Sequence, residues 1–193
     1  MFLPPTQSQT LRSTHRRLLA LAAAGGILLA SVLSQATAQT AAPAPLPMPS
    51  IAAENLNERA ITLPADLPAE KTLVLMAFQR EQQAEVDTWI KGMDLANGKL
   101  PWLEVPVVGS GGTWWRGMVN SGMRMGIRDE AVRERIVTLF TDRAALLRTM
   151  GLPGEGKVVL ALVMNRNGVV LAQAQGRHSA EKAQLLIAAL QAK

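Results

Sequence analysis

From residue 73 onward the chain alternates between uninterrupted apolar runs and helically spaced ones. Residues 73–78, Leu-Val-Leu-Met-Ala-Phe, form a continuous apolar run of strand length, the pattern of a strand buried on both faces. Val86, Trp89, Ile90 and Met93 then recur at i, i+3, i+4 and i+7, which makes one stripe of a helix. Gly98 and Pro101 break the chain, and residues 102–108 predict a second strand that Pro106 weakens. Thr113 opens a helix carrying Trp114, Trp115, Met118 and Val119, and Asp129 caps a short helix running to Arg135. Residues 136–140 are β-branched and aromatic, hence a strand. Asp142 caps a helix that stops at Gly151, with Pro153 just beyond. Residues 158–164 and 169–174 predict two strands joined by Asn165-Arg166-Asn167-Gly168, which is hairpin chemistry. Ser179 caps a last helix with Ala183, Leu186, Ile187 and Leu190 on one face. The order β-α-β-α-α-β-α-β-β-α predicts an α/β domain with a parallel sheet and an antiparallel hairpin at its edge.

Ahead of this region the pattern changes twice. Arg12, Arg16 and Arg17 precede an apolar, uncharged stretch at residues 18–33, and Ala36-Thr37-Ala38 follows as a small-x-small site. That is the layout of a signal peptide over residues 1–38. The apolar stretch is shorter than the roughly 20 residues a spanning helix needs, so an uncleaved leader is the single route to membrane contact. Arg16-Arg17 hints at twin-arginine export, but the flanking His15 and Ala20 favour the general route. Residues 39–60 read as a Pro/Ala-rich spacer, with Pro43, Pro45, Pro47 and Pro49 favouring extended conformation. The folded part begins near Ile51, and residues 61–193 form the domain proper. The expected location is outside the cytoplasm, in the periplasm or cell envelope.

Charge and composition then remove several functions. Three of the 20 basic residues and none of the 15 acidic ones lie in the leader, so the mature chain is close to charge balance. No basic run with interleaved aromatics marks a nucleic-acid groove. The chain has no cysteine. Disulfide exchange, peroxidatic chemistry and Cys-ligated metals are therefore impossible.

The order ending in a hairpin and a helix resembles the thioredoxin and peroxiredoxin topology. Ile61-Thr62-Leu63 and Asp66-Leu67 before the strand ending at Phe78 resemble the entry to such domains, and Thr141-Asp142, Met150-Gly151 and the 165–168 turn resemble their second half. The resemblance implies a thioredoxin-like three-layer sandwich, a mixed sheet with a terminal β-hairpin and a C-terminal helix. Two hallmarks are absent. Gln79-Arg80-Glu81-Gln82-Gln83 stands where the redox dithiol belongs, and Val158-Val159 stands where a loop proline belongs. Over residues 61–190 the chain is also similar to a cysteine-free branch, the assembly factors of the mitochondrial F-type ATP synthase, which chaperone its proton-channel subunit. Phe78 with its Gln-rich helix start, Trp115, the Met123-Arg124 pair, the passage into Phe140 and the segment around Gly176 carry that similarity. It implies a non-catalytic factor that binds a protein client, membrane proteins included, and needs no cofactor.

The candidate client groove consists of Gln79, Arg80, Gln83, Trp114, Trp115, Arg116 and Arg124, with one of the two tryptophans expected in the core and the other at the surface. No catalytic set and no metal set is expected. His178 beside Ser179 is no triad, since Ser179 serves as a helix cap. Glu130 and Glu134 belong to a solvated charged face, and Gly109-Ser110-Gly111-Gly112 is a structural loop that lacks phosphate-binding spacing. The alternative reading is a small-ligand or Cu(I)-binding protein of the same superfamily, with Met118, Met123 and Met125 as thioether donors.

Overall fold

The computed structural model describes residues 46–192; the leader and residues 39–45 of the spacer lie outside them. The chain runs β1 (Ile51–Asn55), β2 (Ala60–Leu63), β3 (Lys71–Ala77), α1 (Gln83–Gly92), β4 (Trp102–Val108), α2 (Thr113–Gly126), α3 (Glu130–Glu134), β5 (Val137–Phe140), α4 (Arg143–Thr149), β6 (Leu160–Asn165), β7 (Val170–Gln175) and α5 (Ala180–Gln191). From β3 onward this is the order that the hydrophobic pattern predicts. Asp129, Asp142 and Ser179 each accept backbone N–H bonds at the starts of α3, α4 and α5, as N-caps do.

Seven strands make one mixed sheet in the order β2-β1-β5-β4-β3-β6-β7. Strands β3, β4 and β5 are parallel, while β6 and β7 add antiparallel partners on one side and β1 and β2 on the other. β3 is central and almost wholly buried, in keeping with its unbroken apolar run. Pro106 is accommodated because β5 pairs with β4 at Val107 and Val108 and, further back, through a bridge between Glu104 and Ile136. The ladder has its gap at the residue without an N–H.

Two apolar layers flank the sheet. On one side Leu146, Leu147 and Met150 of α4 pack on Val74, Met76, Val105 and Leu162. On the other, Val86 and Trp89 of α1 and Leu186 of α5 pack on Leu73, Leu75, Trp102 and Val163.

The sheet begins at Ile51, where the folded part is expected to start, within the stretch read as spacer. β1 and β2 lie within residues 51–63 and form a hairpin whose first strand pairs with β5, so the sheet begins ahead of residue 61. Met48, among the spacer prolines, is buried in the α4-side core, and its N–H donates to the Gly168 carbonyl at 2.8 Å. A Cβ at Gly168 would sit 2.7 Å from the Met48 carbonyl oxygen, and the backbone there has a φ of +80°. Alternating prolines kept this stretch extended, and a glycine let it close against the β6–β7 turn. Met48→Ala in the full chain is therefore expected to lower unfolding free energy by about 2 kcal/mol or more, measured by urea titration. A spacer residue would leave the midpoint unchanged.

Candidate functional site

The end of β3 is where the first polar residues follow the buried strand. Gln82 is buried there. Its side-chain oxygen accepts from the Phe78 N–H at 2.7 Å, and its amide donates to the Gly156 carbonyl at 3.0 Å. The Gln79 amide reaches the same carbonyl at 3.5 Å, and Glu85 accepts from the Val159 N–H at 3.3 Å. The start of α1 is thus tied to the loop before β6 by three side chains of its own. The expected Gln79, Arg80 and Gln83 surround this knot at the surface. Gln82 itself had no sequence signal beyond its place in a glutamine run.

The loop after β4 ends at the same sheet edge and leads into α2. Only Asn120 of this 14-residue helix is buried. At about 100° per residue, Trp114, Met118, Ser121 and Met125 fall within about 60° of one another, while Arg116, Asn120 and Arg124 fall on the other side. The exposures agree: Trp114 and Met125 are 78% and 79% exposed, Met118 45% and Trp115 40%. The helix therefore turns Trp114, Met118 and Met125 to solvent, while Asn120 is buried and Val119, Met123 and Arg124 are half-buried. Arg116 lies 5.4 Å from the Phe140 ring centroid and donates to the Gly111 carbonyl at 3.0 Å; Arg124 pairs with Glu58 of the β1–β2 turn at 2.7 Å. Both cations are engaged within the fold.

Neither tryptophan is in the core, against the expectation that one would be. Both lie off the inward side of the helix, which carries Asn120 and Met123. Trp115 is the less exposed because its ring lies on Gly111, where a Cβ would overlap it. Glu104 of β4 and Thr138 of β5 are buried in the sheet. Thr138 Oγ1, Asn120 Oδ1 and the Arg124 Nε have no hydrogen-bond partner among the described residues. Burial raises the Glu104 carboxyl from 4.5 to about 7; the Gln83 side chain pulls it back, and the Asp87 carboxylate pushes it further up.

Met118 and Met125 share the outward side, whereas Met123 faces the opposite way, so three thioethers do not converge on one ion. His178 stands edge-on to Trp89, ring centroids 5.3 Å apart, and is a packing residue. A cleft of about 450 Å³ on another part of the surface is lined by Arg59, Asp66, Glu134 and Arg166. Its Arg59 is paired with Glu134 at 3.5 Å, and Arg166 donates to the Leu67 carbonyl at 3.1 Å. None of the expected groove residues reaches it.

No protein-family model matches the chain, and no curated protein does. Solved structures do. A protein of Aquifex aeolicus VF5 described as an electron transfer protein aligns with a TM-score of 0.52 at 12% identity, over 76% of this chain and 97% of that one. BsSco, a member of the Sco family of cytochrome c oxidase assembly proteins, aligns with a TM-score of 0.50 at 10% identity, over 77% and 96%. The thiol:disulfide interchange protein DsbE of Chlorobium tepidum aligns at 18% identity, with a TM-score of 0.46, over 76% and 97%. The fold is thioredoxin-like. In this thioredoxin-like domain the glutamine knot stands at the start of α1, and α2 presents exposed apolar side chains beside it.

Two outcomes follow for this site. Gln82→Ala leaves the Phe78 N–H unpaired in a buried place and the Gly156 carbonyl with the longer Gln79 bond alone, a loss of about 1–3 kcal/mol by urea titration. For Glu104, the folded state holds a proton that the unfolded state releases between pH 4.5 and about 7. Its contribution is therefore best below pH 4.5, and stability falls as the pH rises through 7, by at most about 3 kcal/mol. Glu104→Gln should raise the melting temperature at pH 8 and flatten its slope between pH 5 and 8, read by calorimetry; an unchanged slope would dismiss this assignment.

Proposed function

We propose that this protein is a redox-inactive, non-catalytic thioredoxin-fold factor that binds an apolar segment of an envelope or membrane protein client. The observation that carries the reading is α2, which offers two tryptophans and two methionines to the outside beside the sheet edge. Tryptophan and methionine are enriched at interfaces and adapt to apolar partners. Ligands of open α/β sheets bind at the carboxyl ends of the strands, where α2 and the glutamine knot both begin. The absence of cysteine removes the thiol step that such a groove otherwise serves. Affinity then comes from shape and apolar contact alone.

The likeness to cysteine-free ATP synthase assembly factors supports a membrane protein as the client, and the signal-peptide pattern supports an exported site of action. Among the described residues no helix is long and apolar enough to cross a membrane. Because Arg116 and Arg124 are engaged with Phe140 and Glu58, the client is read as uncharged where it touches α2.

Tryptophan fluorescence tests this directly. Trp89 and Trp102 are buried, so Trp114 and Trp115 dominate any change in emission. A soluble peptide carrying an apolar, uncharged helix is expected to shift the emission to the blue on binding. Trp114→Ala should weaken that binding by about 2 kcal/mol, roughly thirtyfold, with stability changed by less than about 0.5 kcal/mol. Equal binding by parent and variant would remove α2 from the reading.

A further inference from the structure

The outward side of α2 is spaced to receive a second copy of itself. Trp114, Met118, Ser121 and Met125 follow at intervals of four, three and four residues, the seam of a two-stranded coil. The spacing is the same in both directions. Two such helices laid antiparallel, with the twofold axis passing between Val119 and Asn120, put Trp114 level with the second copy's Met125. Met118 then meets the second copy's Ser121.

Each outer layer sets a thioether against an indole, a favourable contact, and each inner layer sets a large side chain against a small one. On the flank, Trp115 of one copy comes beside Gly122 of the other, where the space around a Cβ is open to 4 Å. The backbones can then close to the roughly 8–10 Å of packed helices. No charge lies on the seam, which consists of Trp114, Met118, Ser121 and Met125.

The area suffices. The four large side chains are exposed by 78%, 40%, 45% and 79% in chain order. At roughly 200 Å² for each when fully exposed, they present roughly 500 Å² per copy. A pair thus buries about 1,000 Å², the lower bound of a specific interface.

We infer that α2 is the homodimer interface of this protein, an antiparallel helix pair related by a twofold axis. The inference stands without a client; where one exists, it competes with the second copy for the same side of α2. An interface at the lower bound of area is weak, so the dimer forms in the micromolar range.

Sedimentation equilibrium of the chain, from low micromolar to hundreds of micromolar, is the first measurement. Dimer at the upper end is expected, and Met118→Glu should raise the dissociation constant at least tenfold while leaving the melting temperature in place. Leu185→Glu, on an exposed turn of α5, should leave it unchanged. The register is tested by disulfide trapping, which the cysteine-free chain permits. An equimolar mixture of Trp114→Cys and Met125→Cys chains should cross-link. Either variant alone should not, because like positions then lie about 16 Å apart along the helix axes, beyond disulfide reach. A chain that stays monomeric throughout, with or without affinity for vesicles, overturns the inference. So does a dimer indifferent to Met118→Glu, or cross-linking that is as efficient in one variant alone as in the mixture.

Discussion

One buried side chain joins the three pieces that meet at the carboxyl end of β3. Gln82 holds the end of β3 through the Phe78 N–H and the loop before β6 through the Gly156 carbonyl. Each group would otherwise be a buried, unpaired backbone atom, which is expensive. With both satisfied, α1 starts at a fixed place over the sheet, and Val86 and Trp89 enter the core from there. The Trp89 indole N–H in turn donates to the Gly176 carbonyl at 2.8 Å, which ties α1 to the end of β7. A thioredoxin-like edge without thiols is thus held shut by amide chemistry.

The second constraint is how little of α2 the domain covers. Asn120 is its one buried residue, and the helix is held near its ends by Arg116 beside Phe140 and Arg124 beside Glu58. Surface ion pairs and cation–π contacts of this kind are each worth about 1 kcal/mol or less. α2 therefore adds little to the stability of the domain, while four large apolar side chains remain in water. The apolar face is a cost that only a partner offsets.

The sequence reveals the fold to the extent that one residue's period is enough. The apolar run at 73–78, the 86-89-90-93 stripe, the caps at Asp129, Asp142 and Ser179 and the 165–168 turn are local signals, and each element stands where they put it. β1 and β2 were hidden because they are short, half-exposed and mixed in composition, and pairing with β5 across long sequence separation is what makes them strands. Pro/Ala composition around Met48 likewise says nothing about the Gly168 carbonyl that receives it. The site was legible in its residue types and not in their orientation. A stripe such as Trp114, Met118 and Met125 reads as a core stripe on any helical wheel. Which way it faces is seen only in the folded chain, where Trp114 and Met125 are 78% and 79% exposed. Gln82 is indistinguishable from Gln79 and Gln83 until the Gly156 loop is in place.

These features bear on how the proposed factor, a thioredoxin-like fold without cysteine, would hold a client. In a groove with a dithiol, a covalent bond can retain the partner, and the surface around it needs little affinity. Without cysteine, roughly 500 Å² of exposed apolar side chain on α2 has to serve instead. At 25 cal/mol per Å² that surface has a ceiling of about 12 kcal/mol before the cost of association, which is of the same order. For the client we propose, the net is a weak and reversible grip. With α1 and the loop before β6 tied to each other through Gln82, α2 is the surface that the proposed client meets.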